Sequence, residues 1–212
     1  MHREILDFFK ATKEKHPELF AAGKILEAGS LDINGSPREY FSDECNYIGV
    51  DSKQGAGVDW WGIFHEYEEE PDFSFDVCVT TEMLEHDPFW VLSLRHMVKK
   101  LKMGGSLIIS CAGPARGPHG VQFYRSPDGT ATKSEYHPWG PEKDYYWNIK
   151  SELLFYELFS ICSFKSVEFT MERGGQDLFL IARGLFDTKP NYHGRNQVAL
   201  LKKHGRTAID SY

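Results

Sequence analysis

The sequence predicts an α/β fold in which helices cover both faces of a mostly parallel β-sheet that ends in an antiparallel hairpin. Short apolar segments alternate with helical patterns from residue 4 to residue 111, as expected of a parallel sheet. The segments 75–80 and 106–111 are β-branched and apolar, like strands buried on both faces. The last two strand-like segments, 164–172 and 177–183, are joined by a connection too short for a crossover helix, which predicts antiparallel pairing.

The first half of the chain is predicted to form a helix at residues 4–15, a strand at 24–28, a helix at 36–41, a strand at 47–51, a short strand around Val58 and Asp59, and a strand at 75–80. Apolar side chains recur at helical spacing in the first helix, and Pro17 limits it. Ser36 and Pro37 have the pattern of an N-cap followed by the first helical residue. The strands are short apolar runs bounded by turn residues.

The second half is predicted to form a helix between Asp87-Pro88 and Gly104-Gly105, a strand at 106–111, a helix at 151–162 and strands at 164–172 and 177–183. Asp and Pro suit the start of that first helix, and two glycines suit its end. Residues 113–147 are rich in Gly, Pro, His and aromatic residues without sustained periodicity, and loops of that length are usually functional. We therefore predict one domain at 1–183, with a substrate-capping insertion at 113–147 and a C-terminal extension at 184–212.

Composition limits the class of protein. The 212 residues are 41% hydrophobic and 26% charged, which fits one globular domain and excludes disorder throughout. A net charge of −7 lacks the electrostatic footprint of a nucleic-acid binder. No run of 18 apolar residues and no secretory leader pattern is present, which predicts a cytoplasmic protein without a membrane partner. The four cysteines are widely spaced and are expected to be reduced.

The chemistry is expected where the first two strands end, because ligands bind at the carboxyl ends of the strands in such sheets. Gly29 in the loop after the first strand lets a ligand approach the backbone, and Asp51 at the end of the second can accept both hydroxyls of a ribose. The loop lacks the G-x-G-x-x-G pattern and carries Glu27 and Asp32, a poor environment for two phosphates. These features favour S-adenosylmethionine (SAM) over NAD as the cofactor.

Four segments carry a family resemblance, and in order they are Leu26-Glu27-Ala28-Gly29-Ser30, Tyr47-Ile48-Gly49-Val50-Asp51, the stretch from Phe75-Asp76-Val77 to Glu82-Met83-Leu84-Glu85-His86-Asp87, and Leu101-Lys102-Met103-Gly104-Gly105-Ser106-Leu107. Together they resemble the class I SAM-dependent methyltransferases, especially the small domains known as type 11, over about residues 20–115. The resemblance implies a Rossmann-like, mostly parallel seven-stranded sheet with a C-terminal antiparallel hairpin. Ser30 and Asp32 replace the usual second glycine region of the family.

The resemblance also implies a cofactor site, made of the loop residues Glu27, Gly29, Ser30 and Asp32, the ribose ligand Asp51, the adenine-contacting region of Asp59 and Trp60, and Thr81 and Glu82 beside the methionine part and the reacting methyl. For Trp60 and Trp61, packing in the core is the alternative interpretation, because large aromatic side chains usually pack.

Methyl transfer is an in-line displacement that needs alignment, exclusion of water and, for a hydroxyl acceptor, a base. Histidine suits that base near neutral pH, and the candidates are His86, His119 and His137, with Asp87 as the orienting carboxylate. Candidates for the acceptor pocket are His137, Tyr124, Arg116 and Tyr145. The alternatives are that Asp87 caps a helix and that His86 hydrogen-bonds its loop. Glu85, His86, Asp87 and His119 lack the spacing of a metal site, so no metal is predicted.

The sequence therefore predicts a SAM-dependent methyltransferase that acts on a small polar acceptor, such as a hydroxyl of a sugar or another metabolite. Two alternatives remain open. One is a SAM-binding protein without methyl transfer that acts as a sensor or partner module, and the other is an NAD-dependent sugar-modifying enzyme. The oligomeric state is not predicted.

Overall fold

The computed structural model describes residues 3–117, 123–125, 131–133 and 146–188. Its helices are α1 (Arg3–Lys15), α2 (Glu18–Ala21), α3 (Trp90–Lys100) and α4 (Ser151–Ile161), with 3₁₀ helices at Pro37–Tyr40, Phe64–Glu66 and Leu84–His86. Its strands are β1 (Gly23–Ala28), β2 (Cys45–Asp51), β3 (Trp60–Trp61), β4 (Phe75–Thr81), β5 (Leu101–Ala112), β6 (Phe123–Arg125), β7 (Ala131–Lys133), β8 (Ser163–Glu172) and β9 (Asp177–Asp187).

Seven strands form one sheet in the order β3-β2-β1-β4-β5-β9-β8. The strands from β3 to β5 in that order run parallel to one another. Strand β9 is antiparallel to both β5 and β8. The predicted mostly parallel seven-stranded sheet with a C-terminal antiparallel hairpin is therefore confirmed. A separate antiparallel pair, β6 and β7, lies within the stretch predicted as the insertion, where the sequence predicts no strand.

Helices cover both faces of the large sheet. Helix α1 buries Ile5 and Phe9 against one face, in a cluster with Val79 of β4. Helices α3 and α4 cover the opposite face, where Leu94 and Leu158 belong to the larger apolar cluster. Because both faces are covered, β4 is buried along most of its length, as its largely apolar and β-branched sequence predicts.

The register places the ends of four parallel strands at one edge. Ala28 lies opposite Val50 on one side and opposite Thr80 on the other, and Thr81 lies opposite Ser110. The loops that follow β1, β2, β4 and β5 therefore meet above the centre of the sheet. This is where an open α/β sheet binds its ligands.

The helix predicted at 36–41 is a single 3₁₀ turn, Pro37–Tyr40. The predicted cap is present, since the Ser36 hydroxyl accepts the Arg38 N–H at 3.1 Å. The helix does not continue because the backbone becomes extended at Phe41. The short strand expected around Val58 and Asp59 lies at Trp60–Trp61, where it pairs with the end of β2.

Helix α3 also differs at both ends from the prediction. It begins at Trp90, after a 3₁₀ helix, and it ends at Lys100, so Gly104 and Gly105 lie inside β5 and do not end the helix. The helix ends early because of a tertiary contact. Leu101, which is fully buried, pairs with Phe75 of β4, so the backbone is extended from Leu101 onwards. At the other end of the chain, β9 continues to Asp187, past the predicted boundary of the domain at residue 183.

All four cysteines are free thiols, as expected from their spacing. Within the ranges that the structure describes, no helix has both the length and the hydropathy needed to cross a membrane.

Candidate functional site

The loop after β1 is fixed by a glycine that no other residue can replace without strain. Gly29 has a φ of +81°, and a Cβ added there would lie 2.5 Å from the Cβ of Met83, in the loop after β4. The Gly29 N–H donates to the Val50 carbonyl at 2.9 Å, which holds the loop against β2. The glycine therefore permits both the left-handed backbone and the close approach of two loops.

A Gly29→Ala variant is expected to lower the free energy of unfolding by about 2 kcal/mol or more, because left-handed strain and overpacking add. Gly104→Ala is the matched control, since Gly104 has a φ of +86° with nothing within 4 Å of an added Cβ. Urea denaturation should show the larger loss for Gly29→Ala. Equal losses would mean that Met83 moves away at no cost and does not restrict this loop.

Asp51 ties the loops after β1 and β2 together. Its side chain is buried, its Oδ2 accepts the Leu31 N–H at 3.0 Å, and its Oδ1 accepts the Lys53 N–H at 2.8 Å. Burial raises the pKa of Asp51, and these backbone N–H groups oppose that shift. Each carboxylate oxygen keeps a lone pair, so the group can still accept the two hydroxyls of a ribose.

Glu27 is a buried carboxyl close to this edge. The Tyr47 hydroxyl donates to its Oε2 at 3.0 Å, and the Arg38 guanidinium lies 4.6 Å from the centre of the Tyr47 ring. Burial raises the pKa of Glu27 to about 8, so the carboxyl is mostly neutral at pH 7. A cation bound nearby would favour the ionised form.

Ser30 and Asp32 shape the same loop. The Ser30 side chain is buried against Gly49 of β2, where an added Cβ would lie 2.6 Å from the Ser30 Oγ. The Asp32 carboxylate is exposed and accepts the Gly35 N–H at 2.7 Å, which closes a turn. In the structure both residues thus support the loop conformation.

Asp59 and Trp60 also have partners within the fold. The Asp59 carboxylate pairs with Arg38 and accepts the Gly49 N–H at 2.7 Å. The Trp60 ring packs edge-on against buried Tyr67, with centroids 5.3 Å apart, at the border of the larger apolar cluster. For Trp60 the structure favours the packing interpretation.

Trp61 is the exposed member of the pair. It is 65% exposed and lies opposite Asp51 in the β2–β3 register. Its indole N–H donates to the Ser52 carbonyl at 3.0 Å, which holds an aromatic surface beside the end of β2. The sequence alone could not show which of the two tryptophans is exposed, because exposure depends on the face of the short strand that each side chain occupies.

A buried network of charges lies past the ends of β4 and β5. Glu82 follows β4 with a φ of +54°, a strained conformation that is typical of functional sites. Its Oε1 accepts the Ser110 hydroxyl at 3.1 Å, and its Oε2 lies 3.2 Å from the Arg116 Nη1. Arg116, whose side chain is 8% exposed, also pairs with buried Asp177 of β9. Burial raises the pKa of Glu82, and Arg116 opposes that shift.

Glu85 lies within the same network, next to the buried strand end at Thr81, and its side chain is completely inaccessible to solvent. Its Oε1 accepts the Ala112 N–H at 3.2 Å, whereas its Oε2 has no hydrogen-bond partner in the described part of the chain. Burial, followed by repulsion from Glu82, raises the pKa of Glu85 well above its usual value. Sequence reasoning considered this residue only as a metal ligand, because no local pattern reports its burial.

His86 lies beside this network, in the 3₁₀ helix after β4. Its side chain is buried, and its ring lies 5.3 Å from the Tyr146 ring in an edge-on contact. The two carboxylate oxygens of Asp87 bind the Phe89 N–H and the Ser93 hydroxyl at the start of α3. Asp87 therefore supports the start of the helix, which is the alternative role that the sequence allows.

The remaining candidates cannot be placed. His119, His137, Tyr145 and the side chain of Tyr124 lie outside the described residues. Among the residues that are described, no three His, Cys, Asp or Glu side chains are grouped so as to hold a metal ion.

No protein-family model and no curated protein sequence matches this chain. Its structure is similar to that of a SAM-dependent methyltransferase from Archaeoglobus fulgidus, with a TM-score of 0.58, 18% identity, and coverage of 86% of this chain and 94% of the other. It is similar to the [4+2]-cyclase SpnF, with a TM-score of 0.56, 14% identity, and coverage of 85% and 80%.

A third similar structure is the 1,6-didemethyltoxoflavin-N1-methyltransferase of Burkholderia thailandensis, solved with 1,6-didemethyltoxoflavin and S-adenosylhomocysteine bound. The TM-score is 0.53 at 18% identity, and the match covers 82% of this chain and 76% of the other. The order and direction of the strands and the similarity to these solved structures indicate the same fold. The chain therefore has the fold of the class I SAM-dependent methyltransferases.

Proposed function

We propose that this chain binds SAM and transfers its methyl group to a small polar acceptor, a hydroxyl of a sugar or of another metabolite. The observation that carries the proposal is the Asp51 carboxylate, held at the end of β2 by two backbone N–H groups. It lies at the sheet edge where this fold binds ligands, next to the tight loop at Gly29.

The residues at this edge fit SAM. Gly29 and Ser30 form the close-packed loop, Asp51 offers two acceptor oxygens to a ribose, and exposed Trp61 offers an aromatic surface beside it. Glu27 is neutral alone and would ionise beside a cationic group. When bound, SAM supplies an electrophilic methyl group on a sulfonium. Thr81 and Glu82, at the end of β4, would border the reacting methyl.

For the residues of the chain, the chemical task is to orient the acceptor, exclude water and remove its proton. His86 is the proposed base, because it is a buried imidazole in the loop after β4, close to the strand end at Thr81. His119 is the second candidate for the same role.

A His86→Ala variant is expected to keep the SAM affinity of the parent protein and to lose about 100-fold in turnover, the usual contribution of a general base. Turnover is measured as S-adenosylhomocysteine formed with an acceptor found by screening. His16→Ala is a matched control, since His16 is also buried but pairs with Glu168 on β8. Full activity in both His86→Ala and His119→Ala would contradict the assignment of the base.

Calorimetric titration with SAM, S-adenosylhomocysteine and NAD tests the cofactor. Binding of SAM and S-adenosylhomocysteine but not NAD is the expected result. Binding of NAD alone would favour the dehydrogenase alternative, and binding of none of the three would overturn the proposal.

A second candidate function is SAM binding without methyl transfer. It is favoured by one observation, namely that a similar structure is that of a [4+2]-cyclase, so this fold is not restricted to methyltransferases. Production of S-adenosylhomocysteine with an acceptor distinguishes the two functions, because it requires transfer.

The proposal includes a small-molecule acceptor in the cytoplasm. The net charge of −7 disfavours a nucleic-acid substrate, and four free thiols suit a reducing compartment. The toxoflavin methyltransferase with its bound substrate is a precedent for a small acceptor on this fold.

A further inference from the structure

One carboxyl group at this site has no role in the proposed mechanism. Glu85 is completely buried between the ends of β4 and β5, with Oε1 fixed by the Ala112 N–H at 3.2 Å. Its Oε2 has no hydrogen-bond partner among the described residues. Buried polar atoms in native proteins are almost always hydrogen-bonded, so an oxygen in this position can take a hydrogen-bonding partner that enters the site.

The groups around Glu85 determine its ionisation. Among the described residues, the titratable groups that interact with it are Glu82 in the loop after β4, Cys111 on β5, Arg116 after β5 and Tyr146 before α4. The Arg116 guanidinium is already shared between Glu82 and Asp177. Burial and the Glu82 carboxylate therefore keep the pKa of Glu85 well above its usual value, and a completely buried carboxyl whose nearby cation is already paired with other carboxylates favours its protonated form.

A protonated carboxyl is a hydrogen-bond donor. We propose that Glu85 recognises the methyl acceptor by donating a hydrogen bond from its carboxyl to a neutral oxygen, a hydroxyl or a carbonyl, of that molecule. The inference rests on the proposed function and names the substrate class of the same site. An ammonium group has no lone pair, so it would leave the buried O–H unpaired and would be selected against.

If Glu85 is a hydrogen-bond donor, the pH dependence of the KM differs from that expected of a base or a metal ligand, because a base or a ligand must be ionised. Below its pKa, Glu85 is neutral and donates. As the pH rises through that pKa, the donor is lost and the KM for the acceptor increases. A base or a metal ligand at this position would instead gain activity with rising pH.

The first experiment uses infrared spectroscopy on the full chain saturated with S-adenosylhomocysteine, with benzyl alcohol and glucose as neutral oxygen probes. We expect the difference spectrum between the parent and Glu85→Gln to contain a protonated carboxyl band at pH 7, apart from any band of Glu27 that both proteins share. This band should shift when a probe is added. Absence of the band, or a band that neither probe shifts, would overturn the inference.

The second experiment compares methyl transfer to benzyl alcohol and glucose with transfer to their ammonium counterparts, benzylamine and glucosamine. We expect the alcohols to be preferred in kcat/KM by about tenfold or more, the value of one good hydrogen bond. Preference for the amines would overturn the inference. So would activity that is lost with EDTA and restored by Mg²⁺, because Glu85 would then be an ionised ligand.

Two variants distinguish the effect of the hydrogen-bond donor at Glu85 from effects on the rest of the site. Glu85→Gln keeps an N–H donor, so it should retain the KM of the parent and lose the rise of KM at high pH. Glu85→Leu should raise KM about tenfold without changing the SAM affinity. Exposed Glu39→Leu is the control. Normal SAM binding with an unchanged KM in Glu85→Leu defeats this inference alone, whereas lack of SAM binding by the parent defeats the proposed function.

Discussion

An Asp51→Ala variant is expected to lose SAM affinity by a factor of about 100 or more. Each hydrogen bond from a hydroxyl to a charged acceptor contributes about 1.5–3 kcal/mol, and Asp51 would supply two. The side chain also joins the loops after β1 and β2 through Leu31 and Lys53, so its removal loosens both walls of the site. Calorimetric titration with SAM and S-adenosylhomocysteine measures the loss.

Two further variants define the cause. Asp43→Ala removes an exposed carboxylate from the turn before β2 and should leave the affinity unchanged. Asp51→Asn keeps one acceptor oxygen and should lie between the parent and Asp51→Ala. Unchanged SAM affinity in Asp51→Ala, with cooperative unfolding preserved, would contradict the ribose assignment. Loss of NAD binding would instead favour the dehydrogenase alternative, because that class also holds a ribose on an acid at this position.

The parts of the fold that the sequence predicts correctly are those with a local signal. Strand β4 is apolar and β-branched at its centre, Val77–Val79, because both of its faces are covered, so its composition alone identifies it. Gly29 follows β1 directly and Asp51 is the last residue of β2, so their places in the fold could be predicted from the strands. Their proximity then depends only on parallel strands ending at one edge.

Other features depend on contacts that no local pattern contains. Gly104 and Gly105 have the pattern of a helix end, yet the pairing of Leu101 with Phe75 begins β5 before they are reached. Likewise, the Ser36-Pro37 cap is correct, but the turn it begins is only four residues long. In both places tertiary pairing outweighs local preference.

The charge network shows the same limit at the candidate site. Arg116 and Asp177 are 61 residues apart in the sequence, so their ion pair could not be predicted from spacing. Glu85 differs from an exposed glutamate only through the strands around it. The residues proposed for the cofactor lie at or just after strand ends, which is why the sequence could predict them. The acceptor side depends on contacts between distant loops.

The similar structures do not determine the acceptor side either. The structures that are similar to this chain include both methyltransferases and a [4+2]-cyclase, at 14–18% identity. A shared sheet with different reactions means that the fold alone does not determine the reaction. In this chain the loops above the strand ends contain Glu82, Glu85, His86 and Arg116.

An Arg116→Met variant is expected to lower the free energy of unfolding by about 3–5 kcal/mol, because it removes the guanidinium that pairs with two buried carboxylates and leaves Asp177 only its longer 3.9 Å contact with Arg173. The side chains of Glu82 and Asp177 are 14% and 1% exposed, so water cannot replace the guanidinium. Urea denaturation measures the loss. Adding Asp177→Asn to Arg116→Met should recover part of it, since one of the two buried negative charges is then removed.

Arg95→Met is the matched control, because Arg95 pairs with Glu157 at 3.2 Å but is 51% exposed. Exposed pairs of this kind contribute about 0–1 kcal/mol. If Arg116→Met costs no more than this control and instead raises the KM for the acceptor, Arg116 binds substrate, as the sequence predicts. If it costs several times more and the acceptor KM is unchanged, the guanidinium holds the loop after β5 against β9, and the acceptor contacts are left to Glu85 and His86.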